Sequence, residues 1–170
     1  MKNISKITFA AVVSALISVL MSASLIPNIT FAVPAVAGLL IIPVFVQCGA
    51  VYAFLSFAVS GFLSFFISDK TSWLLFVCFF GFYPILKPII EKIKKPIFEW
   101  ALKIVIFNIS ALACYLCEIL LINLKLGFWL LAGIWALGNA IFVLYDIAVS
   151  RVAAFYYIRL DSRIKKILKK

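Results

Sequence analysis

The stretch FFGFYPILKPIIEKIKKPIFEW, Phe79 to Trp100, constrains this chain more than any other. An apolar run from Trp73 meets Pro84 and Pro88 and ends among Lys87, Lys92, Lys94 and Lys95. A second apolar run starts after Pro96. Lysines gathered in a short hinge between two long apolar segments mark the cytoplasmic side of a membrane protein. With that hinge placed inside the cell, every other segment acquires a direction across the bilayer.

Composition points to the same solvent. The 170 residues are 66% hydrophobic and 13% charged, whereas a soluble domain holds about 45–50% apolar and about 25% charged residues. The apolar residues fall in six runs, at about 7–26, 31–46, 50–67, 73–90, 97–122 and 128–157. Spans of about 20 residues cross the hydrocarbon core, so six use nearly the whole chain. The expectation is a single all-α, polytopic membrane domain over residues 1–170, with six transmembrane helices and a basic tail at 159–170.

Six spans put both termini on one side. With the N terminus cytoplasmic, Lys2, Lys6, the 87–95 cluster, Lys103, Arg151 and the tail lie at or near the inner face. Only Lys70 and Lys125 then fall outside. This asymmetry follows the positive-inside rule and predicts a multi-pass protein of a bacterial cell membrane with both termini cytoplasmic. Orientation and contact with anionic membrane lipid account for the net charge of +10, so no nucleic-acid partner is expected.

Several chemistries are excluded at once. The chain has no histidine, which removes a Ser-His-Asp triad and any histidine base or metal ligand. Cys48, Cys78, Cys114 and Cys117 are the four cysteines. The last two form a C-x-x-C within an apolar helix, where burial disfavours the reactive thiolate, so they read as small packing residues. There is no carboxylate pair at catalytic spacing, no glycine-rich phosphate loop and no nucleophile with a base beside it. No enzyme activity, metal or cofactor is expected.

The first apolar segment carries small residues at four-residue intervals: Ala11 and Ala15, beside a ladder of Ala10, Ser14, Ser18 and Ser22. Such faces let another helix approach closely in lipid, where packing drives association. Docking of a partner on Ala11, Ala15, Ser14 and Ser18 and packing within the chain both fit this pattern. Ser22-Ala23-Ser24 resembles a cleavage site, but the apolar stretch before it is long for a signal peptide. Pro27-Asn28 ends the segment. The second run is short and holds Pro34, Gly38 and Pro43, which fits either unwound backbone at a binding site or ordinary kinks. Asp69-Lys70-Thr71-Ser72 reads as a polar loop.

Ionisable residues inside membrane segments are candidates for function because each costs about 2.5–3.5 kcal/mol at mid-helix. Lys87, Glu91, Glu99, Lys103, Asp146 and Arg151 all fall near the cytoplasmic face. Their balance of sign fits a structural ion network joining the fourth, fifth and sixth helices, or a docking surface. Glu118 differs, lying near the outer end of the fifth run among leucines and isoleucines. With Asn123, Asn28, Trp129 and Tyr115 it forms a candidate site for a polar or cationic small-molecule solute; a carboxylate that only reaches the outer interface fits as well. Asn139, with Asn108, lies nearer mid-membrane, where amides hydrogen-bond between helices or add to such a site.

Six short spans, cytoplasmic termini and Ala11-x-x-x-Ala15 in the first helix together resemble the substrate-binding S component of energy-coupling-factor (ECF) transporters. Phe79 to Pro84 with Lys87 and Glu91, and Leu144-Tyr145-Asp146 with Arg151, are similar to uncharacterised six-span membrane proteins of clostridia and relatives. The resemblance implies docking through Ala11 and Ala15 on a transmembrane T component driven by two ATPase subunits. It also implies uptake of a vitamin or similar micronutrient bound near the outer face. The alternative is a non-enzymatic scaffold like the rod-shape-determining proteins of the MreD type, whose partners are cell-wall machinery.

Overall fold

A computed structural model describes residues 3–93, 95–122 and 127–160. Lys2, Lys94, Asn123, Lys125 and residues 161–170 of the basic tail lie outside the described residues. Eight α-helices run through the described residues: α1 (Asn3–Ser22), α2 (Ala32–Leu39), α3 (Ile41–Cys48), α4 (Ala50–Ile67), α5 (Lys70–Leu75), α6 (Tyr83–Ile90), α7 (Pro96–Ile122) and α8 (Phe128–Phe155). No strand occurs among them. Five helical stretches are long and apolar enough to cross a membrane, namely 3–25, 50–67, 70–93, 96–120 and 129–158. Helices α2 and α3 form a shorter apolar pair, Ala32–Cys48, about 25 Å long at helical rise. This is the architecture of an α-helical, multi-pass membrane protein.

Local chemistry explains the breaks. Pro43 has no N–H for the Leu39 carbonyl four residues earlier, and α2 gives way to α3 at Leu40. Gly49 turns the chain between α3 and α4 at φ 93°, a conformation that costs glycine little. Asn28 also takes positive φ, 74°, in the turn after Pro27. The expected loop at Asp69–Ser72 is instead a helix start. The Asp69 carboxylate accepts hydrogen bonds from the backbone N–H of Thr71 (3.1 Å) and Ser72 (3.3 Å), so it caps α5 and the helix begins at Lys70.

The span 70–93 is not uniform. A π turn over Phe76–Phe80 separates α5 from α6, and the Gly81 N–H donates to the Phe76 carbonyl at 2.7 Å. The Phe80 carbonyl instead accepts from the Tyr145 hydroxyl (3.2 Å). Gly38 of α2 sits directly against that carbonyl, where a Cβ would collide with it and with the Tyr145 hydroxyl. Two interrupted helices therefore cross backbone to backbone, with α8 behind them.

Two apolar cores result. One joins α1 to α4 and the π turn around Ile17, Met21, Ala37, Ile41, Val44 and Phe76. The other joins α3, α6 and α8 around Ile42, Phe79, Tyr83, Phe142, Tyr145 and Val149. Helices α1 and α4 make the most extensive helix pair. They meet through serines: Ser14 Oγ and Ser56 Oγ are 2.8 Å apart, and both reach the Ala10 carbonyl at 2.8 Å. Helices α7 and α8 turn Leu112, Leu116, Leu120, Leu130, Ile134 and Leu137 outward, as lipid-facing helices do.

Candidate functional site

The charged residues of α6, α7 and α8 converge at one place. On α6, Tyr83 and Lys87 lie one turn apart on one face, and Glu91 follows in the 3₁₀ turn Glu91–Ile93. On α7, Glu99 and Lys103 are also one turn apart. Asp146 comes from the buried face of α8, between Phe142 and Val149. Packing these three helices brings every one of those side chains into one cluster.

Asp146 is its centre. The Tyr83 hydroxyl donates to Asp146 Oδ1 at 2.5 Å. Lys87 Nζ donates to the same oxygen and, at 2.8 Å, to the Asp146 carbonyl. It also lies 3.3 Å from Glu91 Oε1. Lys103 Nζ reaches Glu99 Oε1 (2.7 Å), Glu91 Oε1 (3.1 Å) and Asp146 (3.4 Å). Lys87, Lys103 and Asp146 are only 3%, 2% and 4% exposed. The ring stack of Phe107 on Phe142, centroids 4.8 Å apart, lies beside them.

An ammonium group has three protons, and each lysine faces three acceptors here. Asp146 and the two glutamates thus engage both ammonium groups. Two ammonium groups face three carboxylates, so the cluster carries one negative charge in excess. Glu91 is the most accessible acid of the three, its side chain 41% exposed.

Beside the cluster lies a cleft of about 220 Å³ between α3, α6 and α8. Its apolar wall includes Ile42, Phe45, Val149 and Ala153, and its polar wall Lys87, Glu91, Ser150 and Tyr157. The Ser150 hydroxyl donates to the Asp146 carbonyl (3.1 Å), which ties this wall to the cluster.

The other sequence candidates fall elsewhere. Arg151, expected within the network, is exposed and makes no ion pair among the described residues; it follows Ser150 on α8 and so points away from Asp146. Ser14 and Ser18, expected on a docking face with Ala11 and Ala15, are buried. Ser18 donates to the Ser14 carbonyl at 2.9 Å, and Ser14 meets Ser56 of α4. The two sets lie on adjoining faces of α1, and Ala11 and Ala15 remain exposed.

Among the solute candidates, Glu118 and Tyr115 are half-buried on α7, and Asn28 is exposed. No hydrogen bond joins these three to one another among the described residues. Trp129 is 86% exposed, and Asn123 lies outside the described residues. Asn139 belongs to a separate clasp between α7 and α8. The Asn108 amide donates to Asn139 Oδ1 (3.1 Å), Trp135 Nε1 donates to Asn108 Oδ1 (2.6 Å), and the Asn139 amide donates to the Trp135 carbonyl (2.9 Å).

Sequence reasoning passed over Ser56 and Ser60, although Ser56, Ser60, Ser64 and Ser68 repeat every four residues and mirror the ladder on α1. It also left Tyr83 outside the charged network, because a tyrosine carries no sign to balance. No protein-family model, curated protein or solved structure matches this chain.

Proposed function

We propose that this protein is a membrane-embedded solute-binding subunit of the ECF S-component kind, serving uptake of a vitamin or other micronutrient without catalysing a reaction itself. In this reading α2 and α3 together form a sixth span, and both termini are cytoplasmic. The lysine-rich 87–95 hinge and Lys6 then lie inside, in keeping with the positive-inside rule. The solute is taken from the outer side, where Glu118 is the acid embedded in a span.

The observation that carries the proposal is the division of labour on α1. Ser14 and Ser18 are buried, Ser14 against Ser56 of α4, whereas Ala11 and Ala15 stay exposed between Val12, Leu16 and Ile7. A small-residue face left open in lipid permits close approach of a helix from another chain. The occupant is a T component energised by two ATPase subunits.

The test is affinity purification of the tagged protein from its own membranes, with co-purifying proteins identified by mass spectrometry. Wild type should recover a T component with two ATPases, and Ala11→Leu/Ala15→Leu should lose them while staying folded. Recovery of cell-wall elongation proteins instead would replace the transporter reading with the scaffold. An intact complex in the double variant would move the docking face elsewhere.

A further inference from the structure

The cleft between α3, α6 and α8 has a chemistry of its own. Lys87 is the cation on its wall, yet its ammonium is already engaged: it donates to the Asp146 carbonyl and Asp146 Oδ1 and lies 3.3 Å from Glu91 Oε1. An anion entering the cleft has to compete with these three oxygens for that ammonium. Glu91 is placed differently. Both lysines approach a single one of its oxygens, Oε1, while a carboxylate offers about four acceptor sites. Its second oxygen leaves a charged acceptor open on this wall. The cluster also holds one more carboxylate than ammonium, and the remaining walls at Ile42, Phe45, Val149 and Ala153 are apolar.

The geometry points to a binding site for a small organic cation, a primary ammonium or amidinium on a compact apolar body. Its charged head meets Glu91 and offsets the excess negative charge; its body fills the space against Val149 and Ala153. The volume of about 220 Å³ limits the ligand to roughly one ring with a short arm, since an apolar cavity of about 150 Å³ takes up benzene. Ser150 and Tyr157 add hydroxyl groups at the same wall, suited to a second polar contact. The site lies at the lysine-rich end of the bundle, away from Glu118, and does not rest on the transporter reading.

Benzylammonium, benzyl alcohol and benzoate share one body and differ in charge, so they separate these terms. The full chain in phosphatidylcholine nanodiscs would be titrated with each, with binding followed by ligand-observed NMR and empty nanodiscs as the blank. Benzylammonium should bind saturably and about tenfold or more tighter than the alcohol, a difference of about 1.4 kcal/mol. Benzoate should not bind. Glu91→Gln keeps the side chain's shape and should bring the ammonium down to the affinity of the alcohol. Ala153→Phe fills the cleft without touching a charge and should abolish both. Equal affinity for the ammonium and the alcohol in wild type would overturn the proposal. So would undiminished benzylammonium binding in Ala153→Phe.

Discussion

The α1–α4 seam and the α6–α7–α8 cluster both bury polar groups in an apolar molecule, by opposite means. At the seam every group is neutral and small. Ser14, Ser18 and Ser60 bond carbonyls four residues back in their own helices, and the Ser56 hydroxyl alone relies on a carbonyl of the partner helix, that of Ala10. At the cluster the central charge depends on groups from other helices, because Asp146 of α8 has Lys87 and Tyr83 on α6 and Lys103 on α7. A serine seam holds helices close by removing bulk. An ionic cluster fixes which helices meet and in what register, at a desolvation cost that its own Coulomb attraction only offsets.

The sharpest way to break this contrast is to remove the central acid. Asp146→Asn takes from buried Lys87 the carboxylate it donates to, leaving it only half-exposed Glu91 at 3.3 Å, and should cost about 3–5 kcal/mol, read from unfolding in mild detergent. Removing the pair as a whole tests the reasoning, since Lys87→Met/Asp146→Leu should lose clearly less than Asp146→Asn alone. A double variant as unstable as the single would mean that the pair contributes net stability.

Next in size is the crossing that links the two regions. Gly38→Val should cost about 1–3 kcal/mol, because its Cβ has no room beside the Phe80 carbonyl and the Tyr145 hydroxyl. Tyr145→Phe in the same background, which takes away that hydroxyl, should recover part of the loss. No recovery would place the conflict on the Phe80 carbonyl alone.

The seam should prove tolerant of lost hydrogen bonds and intolerant of bulk. Ser14→Ala should cost only about 0.6 kcal/mol, the usual worth of a hydrogen bond between membrane helices. Ser14→Leu at the same position should cost about 1–3 kcal/mol by overpacking. Similar losses for both would show that the seam is held by hydrogen bonding after all. Smallest of all, Ala11→Leu on the exposed face should change stability by no more than about 0.5 kcal/mol. A larger effect would mean that this face packs within the protein.

Much of this was legible beforehand, for reasons specific to each element. Pro27, Pro43 and Gly49 announce their breaks because a missing N–H or a positive φ is a property of one residue. The cluster was partly legible: Lys87 and Glu91, and Glu99 and Lys103, stand one turn apart, and that spacing forces each pair onto a common face. Arg151 was misplaced because the sign of a charge is visible in a sequence and its azimuth around the bundle is not. Ser14 and Ser18 were grouped with Ala11 and Ala15 because all four are small. Only the position of α4 separates the side that is covered from the side that stays open. Asp69 was read as loop because a cap and a turn use the same residue types.

The sequence by itself determined the solvent, the helical class and the helix breaks at Pro27, Pro43 and Gly49. Those follow from composition, from runs of apolar residues and from backbone chemistry, each local to a few positions. The tertiary structure alone decided which faces pair, that Asp146 sits among two lysines, and that Ala11 and Ala15 are left uncovered. In an apolar chain nearly every face is greasy enough to meet lipid or protein. The choice between them is made by shape and by a few buried charges, and both are properties of helices already brought together.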